Sequence, residues 1–288
     1  MKKLVLLQPG KLGDLIICSP IAEYYADLGY EVEWVVYSEF EDFFREIPYS
    51  KCITFSGLSL SQNSYLQDPY NRRNPYAENL ENAQKSAKLY LHARRYAQLV
   101  DAKLLDISWG FPGNLKSNLS KIESFRKKDR NWIDMRYTLA EVPLEKRWNF
   151  NWNRNEKKED ELLSIIKERA IKKYNSDKYS IVHIYKNHPL AGHINAVENP
   201  IVFEPIADYQ IYDWFKVLHE SESISCVDSS LCNFIEVIPS LQNKKKIYLG
   251  SEESHYSGYM RNILQNNWID ESLNPTPMGY EEVIKKIL

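Results

Sequence analysis

A glycine-containing segment with one lysine and one carboxylate, Pro9-Gly10-Lys11-Leu12-Gly13-Asp14, follows a short apolar run near the start of the chain. Lys11 can meet a phosphate or a carboxylate, and Asp14 can take up a proton as a general base. Gly10 and Gly13 permit positive φ and a close approach between ligand and backbone. The residue order is not that of a P-loop, which ends in Gly-Lys-Ser or Gly-Lys-Thr. A tight turn in which Asp14 caps the following helix explains the same residues without a ligand.

A second polar turn, Asp228-Ser229-Ser230, follows the β-rich run Ser223–Val227, and Asn233 lies a short way beyond it. Backbone N–H groups and two hydroxyls at the start of a helix suit a diphosphate, and the helix dipole favours negative charge there. Asp and Ser are also preferred N-cap residues, so capping of the next helix is the alternative interpretation.

Further candidates follow two other predicted strands in the second half of the chain. Glu204 comes directly after the strand Pro200–Phe203, where a carboxylate can accept both hydroxyls of a ribose, as in dinucleotide folds. Lys186 and His188 follow an earlier strand and are candidates for phosphate contact. Ordinary solvation explains Glu204 and Lys186 equally simply. His183 lies within that earlier strand and is predicted to be a core histidine.

The first half of the chain alternates between strand and helix patterns, which predicts a parallel sheet with right-handed crossovers. Pro20 falls inside the helical pattern Leu15–Leu28, and a first-turn proline in a regular helix that begins near Ser19 is the alternative interpretation. The predicted strands and helices of this half are Lys3–Gln8, Leu15–Leu28, Glu31–Val36, Glu39–Ile47, Lys51–Thr54, Glu78–Leu99, Lys103–Ile107 and Asn131–Ala140. Loops as long as the Ser/Asn/Tyr/Pro-rich segment Gly57–Asn79 are usually functional or mobile.

A linker at Glu141–Asn155 precedes a second alternating series. Its predicted elements are Glu156–Tyr174, Tyr179–Ile184, Pro200–Phe203, Asp208–His219, Ser223–Val227, Leu231–Ile238, Lys245–Leu249 and Glu281–Leu288. The fold class is therefore α/β, with an acceptor domain at residues 1–150 and a donor domain at residues 151–288. We expect two Rossmann-like domains facing across a cleft, with ligands at the carboxyl ends of the strands.

Composition excludes several classes of protein. The 288 residues carry a net charge of −2, which gives no global field for nucleic acid or an anionic membrane. The four cysteines form no CxxC pair, so a zinc site or disulfide framework is not expected and a reducing cytoplasm fits. No apolar run reaches membrane-spanning length and the N-terminus does not resemble a signal peptide, so membrane contact would be peripheral.

The basic residues are concentrated in Lys51–Phe150, which holds 17 basic and 10 acidic residues, a net of +7. Aromatic residues are interleaved with them. The positions that we select as acceptor-binding candidates are Arg72, Arg73, Arg126, Lys127, Lys128 and Trp132, and the same segment includes Arg136 and Arg147. These basic and aromatic residues predict an anionic acceptor, either a phosphorylated lipid-linked sugar or a nucleic acid. A solvated basic face without a ligand is the alternative.

Taken together, these sites resemble the GT-B glycosyltransferases of the ADP-heptose:lipopolysaccharide heptosyltransferase kind, which are glycosyltransferase family 9. Gly13-Asp14-Leu15-Ile16-Ile17-Cys18-Ser19-Pro20 matches the Gly-Asp turn, helix and proline of that family. Asp228-Ser229-Ser230-Leu231-Cys232-Asn233 is similar to its Asp-Thr/Ser-Gly motif, with Ser230 in place of the glycine and Asn233 in place of a histidine. Glu204 stands where the family carries a glutamate that contacts the donor nucleoside.

The resemblance implies an inverting glycosyltransferase in which Asp14 deprotonates an acceptor hydroxyl and the second domain binds a nucleotide-sugar donor. A surface polysaccharide or lipopolysaccharide is the implied acceptor, and the basic segment keeps modified DNA as a minority alternative. The absence of a DxD motif is consistent with a reaction without metal or other cofactor, in which lysine, serine and backbone amides stabilise the diphosphate. A nucleotide-sugar epimerase and a non-catalytic nucleotide-binding module are the other functions that the sequence leaves open.

Overall fold

The computed structural model describes residues 2–59, 75–107, 132–184, 191–250 and 267–270. These residues form two compact units, and the chain passes from the first to the second between Asn153 and Arg154. Each unit contains one parallel sheet. The predicted terminal helix at Glu281–Leu288 and most of the loop Gly57–Asn79 lie outside the described residues.

The first unit is built on a four-stranded sheet in the order β3-β2-β1-β4, with all neighbours parallel. Its strands are β1 (Lys2–Leu7), β2 (Tyr30–Val35), β3 (Lys51–Ile53) and β4 (Lys103–Asp106), and its α-helices are α1 (Leu12–Asp27), α2 (Pro75–Leu99) and α3 (Trp132–Leu139). Short 3₁₀ helices occupy Ser38–Glu46 and Leu144–Trp148. The first of these falls where the sequence predicts a short helix, at Glu39–Ile47.

The central strand β1 is buried over Leu4–Leu7, as expected of a parallel strand that is covered on both faces. Helix α1 packs against β2, α3 and the Leu144–Trp148 turn, so that its residues are apolar on most sides. Of the two interpretations of this helix, the start near Ser19 is wrong, because α1 begins at Leu12 and Pro20 lies in its interior, as the pattern Leu15–Leu28 indicates. Burial stabilises the helix despite the missing proline N–H, and the Ser19 hydroxyl donates to the Leu15 carbonyl (2.9 Å).

The second unit holds a five-stranded parallel sheet in the order β6-β5-β7-β8-β9. Its strands are β5 (Ser180–His183), β6 (Pro200–Val202), β7 (Ser223–Cys226), β8 (Lys245–Tyr248) and β9 (Trp268–Asp270), and its α-helices are α4 (Glu156–Tyr174), α5 (Phe215–Glu220) and α6 (Ser230–Glu236). Three 3₁₀ helices lie at Ala191–Ala196, Ile211–Trp214 and Pro239–Leu241. The single helix predicted at Asp208–His219 is therefore wrong, because it is divided into a 3₁₀ turn and α5.

The predicted linker packs against the first unit over most of its length. Phe150 stacks on Phe43 with ring centroids 6.2 Å apart, and the backbone N–H of Asn153 donates to the Glu46 carbonyl (2.7 Å). The side-chain amide of Asn151 also donates to Glu23 (2.7 Å). These contacts attach the segment up to Asn153 to the first unit.

Candidate functional site

Asp14 lies in the first turn of α1, directly beyond the carboxyl end of β1. Its Oδ2 accepts a hydrogen bond from the backbone N–H of Lys11 (2.9 Å), which is the helix-capping contact expected of a carboxylate at this position. Its Oδ1 accepts from Nη1 of Arg136 (2.7 Å). About a quarter of the side chain remains exposed (24%), so the carboxylate is ordered by two donors and still reaches solvent.

Gly10 is required by the close approach of Asp14. A Cβ added at Gly10 would stand 2.3 Å from Oδ2 of Asp14, which is closer than any ordinary contact. Neither glycine of the turn adopts the positive φ that glycine permits, because only Gly29 and Gly57 have positive φ among the described glycines. Gly13 instead lies buried within α1, and Lys11 is the exposed N-cap residue.

Arg136 is part of this site, although the sequence predicted a different role for it. We predicted it as part of the basic segment facing an anionic acceptor, but its side chain is only 6% exposed and points at Asp14. Oriented by its partners, the Gln8 amide directs its oxygen at Nη1 and Nη2 of Arg136, at 2.7 and 2.6 Å. Nη1 also lies 3.7 Å from Sγ of Cys18. Burial raises the pKa of the Cys18 thiol to about 11, although Arg136 opposes that rise.

Arg147 is a second correction to the basic segment. It is buried, and its guanidinium stacks 3.8 Å above the ring of Trp148. Neither Arg136 nor Arg147 therefore belongs to a solvated basic face. The other acceptor candidates, Arg72, Arg73, Arg126, Lys127 and Lys128, lie outside the described residues, and of Trp132 only the backbone at the start of α3 is described.

In the second unit, Ser229 is the N-cap of α6 and the centre of a hydrogen-bond cluster. Its hydroxyl donates to the Val227 carbonyl (3.1 Å) and accepts from the Cys232 N–H (3.3 Å). Nδ1 of His183 lies 2.9 Å from the same oxygen. A hydroxyl has one proton and two lone pairs, so with that proton on the Val227 carbonyl Nδ1 is the donor to Ser229. The Ser229 hydroxyl then has no proton left for a phosphate oxygen.

His183 is not the core histidine that the sequence predicted. It ends β5, is partly exposed, and connects two neighbouring strands through Ser229 and through Cys226 of β7, whose Sγ lies 3.7 Å from Nδ1. Its ring also meets Phe203 edge-on at 5.1 Å. The missed signal was its position at the end of the strand, since the carboxyl ends of parallel strands lie along one edge of the sheet.

Cys226 and Cys232 lie together beneath this turn. Burial opposes ionisation of the Cys226 thiol, but its contacts with Cys232, His183 and Ser229 together outweigh burial and lower its pKa. Burial and the neighbouring Cys226 raise the pKa of Cys232. Neither side chain has exposed surface, so these thiols organise the turn and are not accessible to a substrate.

The remaining donor candidates differ in how they are placed. Asp228 and Ser230 are partly exposed at the turn, and no contact among the described residues involves the Ser230 hydroxyl. Asn233 is buried within α6, and its Oδ1 has no hydrogen-bond partner among the described residues. Lys186 and His188 lie outside the described residues.

Glu204 follows β6, the edge strand of the second sheet, where the sequence placed it. Its Oε1 accepts from Nη1 of Arg169 on α4 (3.0 Å), and more than half of the glutamate side chain is exposed (58%). An exposed ion pair of this kind contributes about 0–1 kcal/mol. The carboxylate can therefore exchange Arg169 for another donor at small cost.

No protein-family model and no curated protein sequence matches the chain, whereas solved structures do. The glycosyl transferase family 9 structure from Veillonella parvula is 12% identical and superposes with a TM-score of 0.54, covering 99% of this chain and 91% of that one. Arabidopsis thaliana UGT89C1 complexed with UDP is 8% identical with a TM-score of 0.51, covering 100% and 90%. The fold is that of a GT-B glycosyltransferase.

These similarities confirm, at the level of the fold, the resemblance to family 9 noted in the sequence. They also confirm the prediction of two Rossmann-like α/β domains. In this GT-B chain the Asp14 and Ser229 clusters each follow a central strand of a parallel sheet, at the edge where ligands of open α/β sheets bind. The helices in the described part of the chain lack the combination of length and hydropathy that a membrane span requires.

Proposed function

We propose that the protein is a glycosyltransferase that moves a sugar from a nucleotide-sugar donor to a hydroxyl of an anionic acceptor, with inversion and without a metal. The observation that carries the proposal is the carboxylate of Asp14 at the carboxyl end of β1. It is held by the Lys11 N–H and by Arg136, and it remains partly open to solvent. The GT-B fold supports the same class of reaction.

In the proposed step, Asp14 takes the proton of the acceptor hydroxyl as that oxygen forms a bond to the anomeric carbon of the donor sugar. The bond between this carbon and the diphosphate oxygen breaks with its electron pair, and a nucleoside diphosphate leaves. A single displacement inverts the anomeric configuration. The leaving diphosphate carries the developing charge, so groups that stabilise it lower the barrier.

We assign donor binding to the second unit. Ser230 is the hydroxyl best placed to meet the diphosphate, because that of Ser229 is already used within the turn. Asp228 lies in the same turn, and Asn233, whose Oδ1 has no partner among the described residues, lies within α6. Glu204 would accept the ribose hydroxyls, with Lys186 and His188 supplying charge to the phosphates.

The acceptor is proposed to be anionic because of the basic residues that remain between Arg72 and Lys128 once the two buried arginines are set aside. A surface polysaccharide or lipid-linked glycan fits this charge, and modified DNA is the alternative, which a steep loss of binding with salt would favour. The four free cysteines support our expectation of a cytoplasmic enzyme.

The test is transfer by the purified protein. Nucleotide sugars are first screened by thermal shift, since a bound donor raises the melting temperature. Transfer of labelled sugar to candidate glycans is then followed with and without EDTA, and the anomeric configuration of the product is determined by NMR. Transfer with retained configuration, or transfer abolished by EDTA and restored by Mg²⁺, would contradict the inverting, metal-independent mechanism.

A non-catalytic nucleotide-binding module is favoured by one observation, because both carboxylate oxygens of Asp14 already have partners within the first unit. Such a module would bind a nucleotide sugar and release no nucleoside diphosphate even on prolonged incubation. A transferase often hydrolyses its donor slowly when no acceptor is present, so product release separates the two functions.

A further inference from the structure

The guanidinium of Arg136 contacts several polar groups of the Asp14 site. Nη1 donates to Oδ1 of Asp14 at 2.7 Å, the Gln8 amide oxygen lies 2.6 to 2.7 Å from Nη1 and Nη2, and Sγ of Cys18 lies 3.7 Å from Nη1. Gln8 directly follows β1, and Cys18 lies one turn beyond Asp14 on α1. The arginine therefore joins the end of β1, the start of α1 and helix α3.

Helix α3 is held against α1 by two further side-chain bonds. The Tyr137 hydroxyl donates to the Ile17 carbonyl (2.9 Å), and the Tyr25 hydroxyl donates to the Ala140 carbonyl just beyond the end of α3 (2.7 Å). Both tyrosines are buried. Their bonds fix the position of α3 independently of the charge pair, so the guanidinium is presented to Asp14 by a helix that is already docked.

We propose that Arg136 is a positioning residue for Asp14 in the transfer reaction. It holds Oδ1 while the Lys11 N–H holds Oδ2, and together they fix the plane of the carboxylate whose free lone pairs receive the acceptor proton. A charge-assisted bond from a planar guanidinium specifies direction as well as distance. The proposal rests on the function proposed above, and it concerns only residues of the first unit.

Arg136 has little capacity to serve as a ligand for the acceptor. Its side chain is 6% exposed, and its N–H groups face Gln8, Cys18 and Asp14. An arginine that bound a phosphate of the acceptor would have to break these bonds and leave a buried carboxamide without its donor, which is unfavourable. The role that the contacts support is to act through Asp14.

The test compares Arg136→Gln, Arg136→Lys and Asp14→Asn with the double variant Asp14→Asn/Arg136→Gln. We expect Arg136→Gln to lower kcat by about 10- to 100-fold with donor Kd unchanged within two-fold, and Arg136→Lys to recover part of the loss. Because Arg136 acts only through Asp14, the double variant is expected to be no slower than Asp14→Asn alone, within two-fold.

Tyr137→Phe is the matched control, since it loosens the same helix without touching the guanidinium. It should lower the melting temperature while kcat stays within two-fold. Should Arg136→Gln fail to fold, Gln8→Ala releases the guanidinium from its other side and is expected to lower kcat with donor Kd unchanged. Losses that multiply in the double variant, or an equal loss of kcat in Tyr137→Phe, overturn the positioning role while leaving the proposed function intact. Absence of any transfer by the wild-type protein overturns both.

Discussion

The carboxylate of Asp14 occupies the space above Gly10 so completely that a methyl group at position 10 would stand 2.3 Å from its Oδ2. The glycine is thus required by the carboxylate that follows it four residues later. The same carboxylate is held on its other oxygen by Arg136, so the turn after β1, helix α1 and helix α3 meet at one side chain.

Gly10→Ala should displace Asp14 and so lower both stability and turnover. We expect a loss of about 1–3 kcal/mol in the free energy of unfolding, which is typical of overpacking, and at least a ten-fold fall in kcat. Urea unfolding and initial rates measure the two effects. Gly192→Ala is the matched control, because a Cβ at Gly192 meets nothing within 4 Å. Equal effects of the two variants would show that crowding at Asp14 is not the cause.

Asp14→Asn should preserve the helix cap, since the amide oxygen still accepts from the Lys11 N–H, but it removes the proton acceptor. Turnover should fall by about two or more orders of magnitude, with the donor Kd unchanged. Calorimetric titration measures the donor Kd of the variant and the wild type, and transfer rates measure their turnover. Asp42→Asn, at an exposed carboxylate paired with Arg45, serves as the surface control. Near-normal turnover in Asp14→Asn would identify Asp14 as a helix cap alone.

Ser229→Ala and Ser230→Ala should differ in kind. Loss of the Ser229 hydroxyl removes the N-cap of α6 and a partner of His183, so we expect a loss of about 0.5–2 kcal/mol in stability. Loss of the Ser230 hydroxyl should raise donor KM and leave stability within about 0.5 kcal/mol. Denaturant unfolding measures the stability of both variants, and initial rates at varied donor concentration measure their donor KM. A raised KM in Ser229→Ala alone would reverse the two assignments.

Glu204→Ala should weaken binding of the nucleotide product and of the intact donor by a similar factor, about ten-fold or more. Two charge-assisted hydrogen bonds to a ribose are lost, whereas the ribose does not change charge in the reaction. Arg169→Ala is the matched control, because it breaks the same ion pair and leaves the carboxylate in place. Binding is measured with the nucleotide and with its 2′-deoxy form. An equal effect of the two variants would attribute the loss to the ion pair rather than to ribose contact.

Cys18 should make the protein less stable in alkali. Burial raises its folded-state pKa from the ordinary 9.0 to about 11, so between these values the unfolded chain loses its thiol proton and the folded chain keeps it. The contribution of Cys18 is thus complete below pH 9 and is lost as pH rises toward 11. Urea unfolding of wild type and Cys18→Ala at pH 8 and pH 10.5 should show the difference between them shrinking by about 2 kcal/mol. A pH-independent difference would show that the thiol titrates as it does in the unfolded chain.

Local patterns predicted much of the fold and the place of the central carboxylate. The apolar run Leu4–Leu7 followed by Gly10 and Asp14 indicates a strand, a turn and a helix start, because each feature depends on neighbours within a few residues. The repeated strand–helix order predicted two parallel sheets. Pro20 misled the prediction of α1, since burial of the surrounding apolar residues outweighs the one hydrogen bond that a proline removes.

The sequence by itself determined the alternating α/β order, the carboxylate after β1 and the serine turn after β7. Only the tertiary structure decided which side chains hold them. Arg136 lies 122 residues from Asp14, and the sequence groups it with basic residues expected to contact an anionic acceptor. The docking of α3 on α1 brings it to Asp14 instead. His183 lies 46 residues from Ser229 and is brought to it by the register of β5 and β7. In neither case does the local sequence identify the partner, because a side-chain contact between distant segments depends on how whole elements pack and not on the residues beside it in the chain.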